Sequence, residues 1–242
     1  MGVPLLGFAA PHAEISWRDV ESRIQYGFYT EDATALRGLQ DTMAGDESND
    51  RMHGYYAALA AWRLAQLAAR TPAAGHGLSA AQLAQRCISE ADGALSQQAD
   101  FAEALALRAA CRATPLDGAG SQGTYAVHRA RRDQERALQL APRNPRVLLV
   151  DAMNDYQLSP GLGGNKERAL VKLRQAVAAF DAERTATEPL PGWGAAEAYL
   201  LLARNLLDHG EAVGARDALE HALLIAPEFG QARRLMAQIT GG

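Results

Sequence analysis

Four charged residues in this chain have the types and spacing to do chemistry. Arg108 and Arg112 lie four apart, as do Asp151 and Asp155. On a helix, residues four apart share a face. Two close carboxylates push one pKa up, which is the condition for dividing acid and base roles, so Asp151 and Asp155 could act as such a pair. Two arginines can equally neutralise two aspartates. The favoured expectation is therefore an ion-pair ladder between neighbouring helices, in which Arg108 meets Asp151 and Arg112 meets Asp155, or the diagonal pairs form. No catalytic residue is assigned on this reading, and the enzyme reading stands last.

Other constellations are weaker. Gly161-Leu162-Gly163-Gly164 has the glycines of a phosphate-binding loop. It lacks the preceding strand and any GK[ST] or GxGxxG completion, so it reads as a tight turn with Asn165 capping the next helix. The six histidines (His12, His53, His76, His128, His209 and His221) include no i, i+4 pair and no HExxH, so no metal and no cofactor is expected. No GxSxG elbow is present. Cys87 and Cys111 form neither a CxxC pair nor a zinc set. Helical register puts Cys87 on the second helix of one hairpin and Cys111 on the first helix of the next. They are expected to be inert core thiols, free rather than bridged, although near enough to approach one another.

The elements that position these residues are helical. Of 242 residues, 48% are hydrophobic and only 6% aromatic, with alanine and leucine prominent. The net charge of −4 argues against a general nucleic-acid surface. No apolar run is long enough to span a bilayer. Residues 1–16 begin with a short apolar stretch, Val3 to Ala10, without preceding positive charge. That segment reads as a disordered terminus or the remnant of a targeting signal, which tilts the expected compartment to the periplasm over the cytoplasm.

The clearest segment is Ala196 to Phe229, AEAYLLLARNLLDHGEAVGARDALEHALLIAPEF, 34 residues long. It resembles the tetratricopeptide (TPR) repeat, whose pattern is W-x2-L-G-x2-Y…A-x3-F…P. Tyr199 takes the Trp site, Leu202-Ala203 the Leu-Gly pair and Leu206 the Tyr site. Ala215, Leu219, Ala222 and Pro227 fill the second helix and closing turn. Weaker copies follow the same phase. The equivalent alanines Ala94, Ala137, Ala176 and Ala222 are spaced by 43, 39 and 46 residues, and the surplus falls in the loops Thr114–Gly123, Ser159–Asn165 and Ala182–Trp193.

The resemblance implies an all-α, tetratricopeptide-like helical-hairpin solenoid with irregular inter-helix insertions and about eleven helices. Its single domain, 17–242, divides into a degenerate pair at 19–45 capped by Thr30, a pair at 52–95, repeats at 102–142, 145–180 and 196–229, and a capping helix at 231–239. In this family the first helices line a concave groove. Here the lining would include Arg146, Leu149, Met153 and Tyr156 from one repeat and Leu200, Arg204 and Leu207 from the last. Such a groove suits a protein or peptide partner, or an anionic small molecule. The family's carboxylate clamp for chaperone tails is not reproduced. The turn from Pro160 to Asn165 also resembles one in the periplasmic T component of TRAP transporters, which implies ligand handling as the rival to a scaffold. Oligomeric state is left open.

Overall fold

The computed structural model describes residues 16–44, 50–114, 120–183 and 190–241. Local chemistry sets many of the helix boundaries within these ranges. Ser79 and Gln82 form a reciprocal capping box that starts one helix, with the Gln82 amide donating to Ser79 Oγ at 3.2 Å and the Ser79 amide to Gln82 Oε1 at 2.8 Å. Asn144 caps another, accepting from the Arg146 and Val147 amides, with Pro145 in the first helical position where its missing N–H costs nothing. Asn165 accepts from the Arg168 amide at 2.7 Å. Asp32, rather than the expected Thr30, caps the second helix by accepting from the Ala35 amide at 2.9 Å.

The result, among the described residues, is eleven α-helices and no strand. They are α1 (Trp17–Tyr29), α2 (Ala33–Ala44), α3 (Arg51–Arg70), α4 (Ala80–Gln97), α5 (Ala102–Ala113), α6 (Gly120–Leu140), α7 (Pro145–Gln157), α8 (Lys166–Glu183), α9 (Ala195–Asp208), α10 (Ala212–Ile225) and α11 (Gly230–Thr240). Consecutive helices pair as antiparallel hairpins, α1 with α2 through α9 with α10, and α11 closes the stack. Helix α6 begins at Gly120, inside the segment expected to be loop. The segment at 1–15, residues 115–119 of the first insertion and residues 184–189 of the last fall outside the described residues.

Small residues make the helix contacts close. Ala203, Ala215 and Ala222 are fully buried, as the repeat requires. Helix α3 is apolar on nearly every face because it is surrounded by α1, α2, α4 and α5. At Gly54 a β-carbon would come within 2.9 Å of the Ala94 backbone nitrogen, so α3 and α4 cross at a distance only glycine permits. The Pro160–Asn165 turn is similarly tight: a side chain at Gly164 would collide with the Leu158 carbonyl. That turn's carbonyls accept hydrogen bonds from Arg131 and Arg168, which makes it a structural corner.

Two expectations are corrected here. Cys87 and Cys111 are joined in a disulfide, not free. Helices α4 and α5 pack side by side, which brings the two Cα atoms to 6.1 Å, within bridging range, and both side chains are buried. The inter-repeat ladder does not form either. Arg108 binds Asp133 of α6 through two hydrogen bonds of 2.9 and 2.7 Å and also Asp92 of α4, and Arg112 binds Asp133. Asp151 and Asp155 both contact Lys172 of α8 at 2.7 Å, and Asp155 also binds Arg168. Each charged first helix therefore pairs mainly with the second helix of its own hairpin. The repeat turns those positions inward within the hairpin, not across to the next first helix.

Candidate functional site

The first helices α3, α5, α7 and α9 face a common cavity of about 330 Å³, bordered also by α1 and by the start of α11. Leu149 and Met153 reach it from α7, and Leu200 and Arg204 from α9. The other groove candidates lie elsewhere. Arg146 is 1% exposed and committed to Glu183 through two hydrogen bonds of 2.8 and 2.6 Å. Tyr156 is not in the lining, although Met153 and Gln157 on either side of it along α7 are. Its hydroxyl pairs with Asp208 while Lys166 sits over its ring at 5.4 Å; burial first, then the hydrogen bond to Asp208 and that residue's charge, push its pKa up to about 12. Leu207 is half-buried and outside the lining.

Much of the lining comes from residues that were not groove candidates. Phe28, Trp62, Trp193 and Phe229 supply aromatic wall, and Arg63 and Glu197 a buried ion pair. Arg63 is 1% exposed, with its guanidinium carbon 4.1 Å from the Phe28 ring centroid, 4.7 Å from Trp62 and 5.1 Å from Trp193. Three aromatic faces and one carboxylate replace the water this cation has lost. One signal in the sequence could have found it. Arg63 is the lone charge within the run Ala57 to Ala69, and a charge among alanines and leucines needs a dedicated partner.

That partner comes from the far end of the chain. Glu197 also accepts from Gln25 at 3.0 Å and from the Tyr29 hydroxyl at 2.8 Å. Burial, reinforced by Glu197, drives the Tyr29 pKa well up, so its proton stays on that bond. The Gly192 amide donates to Glu21, Trp193 donates its indole N–H to the Tyr55 hydroxyl at 2.7 Å, and Arg234 binds Glu31. Tyr29 packs on Phe229 with ring centroids 4.5 Å apart. The first hairpins and the last thus meet across the concave face. In place of the open groove that the resemblance implies, the curvature of the stack closes one side into a cavity.

Among the described residues the charge of the cavity is not balanced. Three described arginines line it. Arg63 has Glu197, and Arg70 has Glu31 at 3.0 Å. Arg204 has no carboxylate partner among the described residues; it donates to Gln231 Oε1 at 3.0 Å. Burial lowers its pKa, with the nearby Tyr156 opposing and Arg234 adding repulsion. A guanidinium remains charged under any such shift, so a half-buried cation stands on an apolar wall without a counter-ion among the described residues. Asp151 and Asp155 are not in this cavity, and Lys172 holds both. Among the described residues no cluster of three or more His, Cys, Asp or Glu could hold a metal ion.

No known family's sequence profile matches the chain, and no curated protein sequence matches it. Solved structures do resemble it. The HusA haemophore from Porphyromonas gingivalis superimposes with a TM-score of 0.60 at 22% identity, covering 79% of this chain and 92% of that one. A thermophilic TPR protein from Thermus thermophilus does so with a TM-score of 0.56 at 17% identity, covering 93% of this chain and 97% of that one. At such identities the likeness is one of fold: the chain is an all-helical, tetratricopeptide-like solenoid.

Proposed function

We propose that this protein holds, without transforming it, an apolar molecule bearing a carboxylate, seated in the concave cavity with its charge on Arg204. The observation that carries this reading is Arg204 itself, a half-buried guanidinium without a carboxylate partner among the described residues, on a wall of leucine, methionine and tryptophan. A charge-assisted hydrogen bond from a ligand would supply what the fold omits. A cavity of about 330 Å³ suits a small molecule or a single chain end better than an extended peptide. The TPR fold supports a protein partner as the second reading, and an apolar C-terminus would present the same chemistry. The haemophore likeness supports porphyrins among the small molecules, and Met153 is the sulfur-bearing side chain among the described lining residues. The Cys87–Cys111 bridge supports an oxidising compartment.

The test is a tryptophan-fluorescence titration, since Trp62 and Trp193 both line the cavity. A long-chain fatty acid, a porphyrin and a leucine-terminated peptide are each compared with the same molecule carrying its carboxylate as an ester or amide. At least one carboxylate should bind, and masking it should weaken binding about tenfold or more, the equivalent of about 1.4 kcal/mol. Equal binding of masked and free forms would remove Arg204 from the account. The peptide arm separates a protein partner from a small-molecule cargo.

A further inference from the structure

A second cavity, of about 450 Å³, lies between α6, α7 and α8 and shares only Asn154 with the first. Its aliphatic lining is Val127 and Leu138 from α6 and Leu158 just after α7, and its polar lining includes Gln134, on the same face of α6, and Asp151, beside the charged Arg131, Glu135, Asp155, Arg168 and Lys172. Gln134 is the informative residue. In the repeat register it stands four after Ala130 and three before Ala137, where the next two hairpins place the fully buried Leu173 and Leu219. It is itself 4% exposed. Its Nε2 donates to the Val147 carbonyl at 2.9 Å, which orients the amide, and its Oε1 is buried with no hydrogen-bond partner among the described residues. A buried amide oxygen in a leucine position destabilises the fold unless something donates to it.

Asp151 is the neighbouring acceptor. Gln134 and Asp151 both line the cavity, and the Gln134 amide is held on the carbonyl of Val147, one turn before Asp151 on α7. Lys172 is the only direct partner of Asp151 among the described residues, whereas Asp155 is bound by both Arg168 and Lys172. The Lys172 ammonium, 2.7 Å from each carboxylate, also demonstrates the kind of donor these groups accept. Among the described residues no aromatic side chain lines the cavity to offer the stacking face a sugar or a nucleobase would use.

We infer that this cavity binds a primary ammonium on a short aliphatic body, the ammonium shared between Gln134 Oε1 and Asp151 and the hydrocarbon against Val127, Leu138 and Leu158. An ammonium brings three donors, enough for both acceptors at once. A free alkylamine and an aliphatic amino acid share this chemistry; the carboxylate of the latter would meet Arg168 or Arg131 at the rim. The inference is independent of the reading of the concave face.

The experiment titrates the whole chain by calorimetry with three molecules of one hydrocarbon body: 3-methylbutylamine, leucine and 4-methylpentanoate. The amine, leucine or both should bind at millimolar concentration or below, with intermolecular NOEs to the methyls of Val127, Leu138 and Leu158, and 4-methylpentanoate should not. Leucine alone, or leucine at least tenfold tighter, identifies an amino acid; equal affinities identify a simple amine. Failure of both ammonium compounds, binding of 4-methylpentanoate as tightly as the amine, or NOEs elsewhere would overturn the inference. Gln134→Leu restores the leucine of the neighbouring hairpins, so it should melt above the parent and yet bind the ammonium compounds at least tenfold more weakly. Unchanged binding by that variant would also overturn it.

Discussion

Three successive hairpins treat one structural position in three ways. In α5/α6 two first-helix arginines, Arg108 and Arg112, enclose one second-helix aspartate, Asp133. In α7/α8 the signs reverse: Asp151 and Asp155 enclose Lys172. In α9/α10 the equivalent residues are Leu202, Leu206 and Ala218, all buried. The backbone therefore does not require a charge at this place. What it requires is that the first and second helices of a hairpin meet there through complementary groups. The two charged versions differ in one respect that bears on function. Asp133 is hydrogen-bonded on both oxygens by Arg108 and also bound by Arg112, whereas Asp151 has a single direct partner among the described residues and borders a cavity.

That difference predicts unequal costs. Asp133→Ala leaves Arg112, 6% exposed, without its carboxylate, and should cost about 3–5 kcal/mol by urea denaturation. Lys172→Met should cost less, about 1–3 kcal/mol, because Arg168 remains to neutralise Asp155. A Lys172 variant as damaging as the Asp133 variant would show that the two centres are equally closed. Gln134→Leu should change stability in the other direction, by about 1 kcal/mol, raising the melting temperature by about 2–4 °C.

The smallest effect is in pH dependence. Burial holds the Asp151 carboxyl above its ordinary 3.8, with Lys172 only partly offsetting it. Burial would also raise Asp155, but the hydrogen bonds from Arg168 and Lys172 win and hold it below 3.8. The folded state thus binds the Asp151 proton more tightly than the unfolded chain does. Its contribution is complete below 3.8 and is lost as pH rises through the raised value. Asp155 contributes above 3.8, and that contribution is lost as pH falls through the lowered value. Asp151→Asn should remove the first dependence alone, so that the variant gains on the parent as pH rises from 3.8 toward neutrality. Parallel stability curves would place Asp151 in an environment like that of a solvated carboxylate.

The hairpins were legible because their signals are local. Ala215, Leu219 and Ala222 mark a second helix within eight residues, and Ser79 with Gln82 marks a helix start within four. Partner choice was less legible. Periodicity places Arg108 and Asp151 on an inward face, but the neighbouring first helix and the hairpin's own second helix both lie along that face, and a spacing rule does not separate them. The disulfide required the α4–α5 packing distance, which no spacing contains. Closure of the cavity was not legible at all. Its contacts, Arg63 with Glu197 and Arg234 with Glu31, span 134 and 203 residues and depend on curvature accumulated over every hairpin. Four of the seven groove candidates, Leu149, Met153, Leu200 and Arg204, line the cavity; its aromatic side chains, Phe28, Trp62, Trp193 and Phe229, were not among those candidates.

The central claim is that Arg204 is the cation awaiting a ligand's carboxylate, and a thermodynamic cycle tests it most directly. The best-binding carboxylate from the fluorescence titration, and its masked analogue, are measured against the parent and against Arg204→Met, with circular dichroism melts confirming that both proteins are folded. The account predicts that masking the carboxylate weakens binding about tenfold or more in the parent and has little effect in the variant, because the two changes remove the same interaction. Equal losses in both proteins, with an unchanged melt, would contradict it.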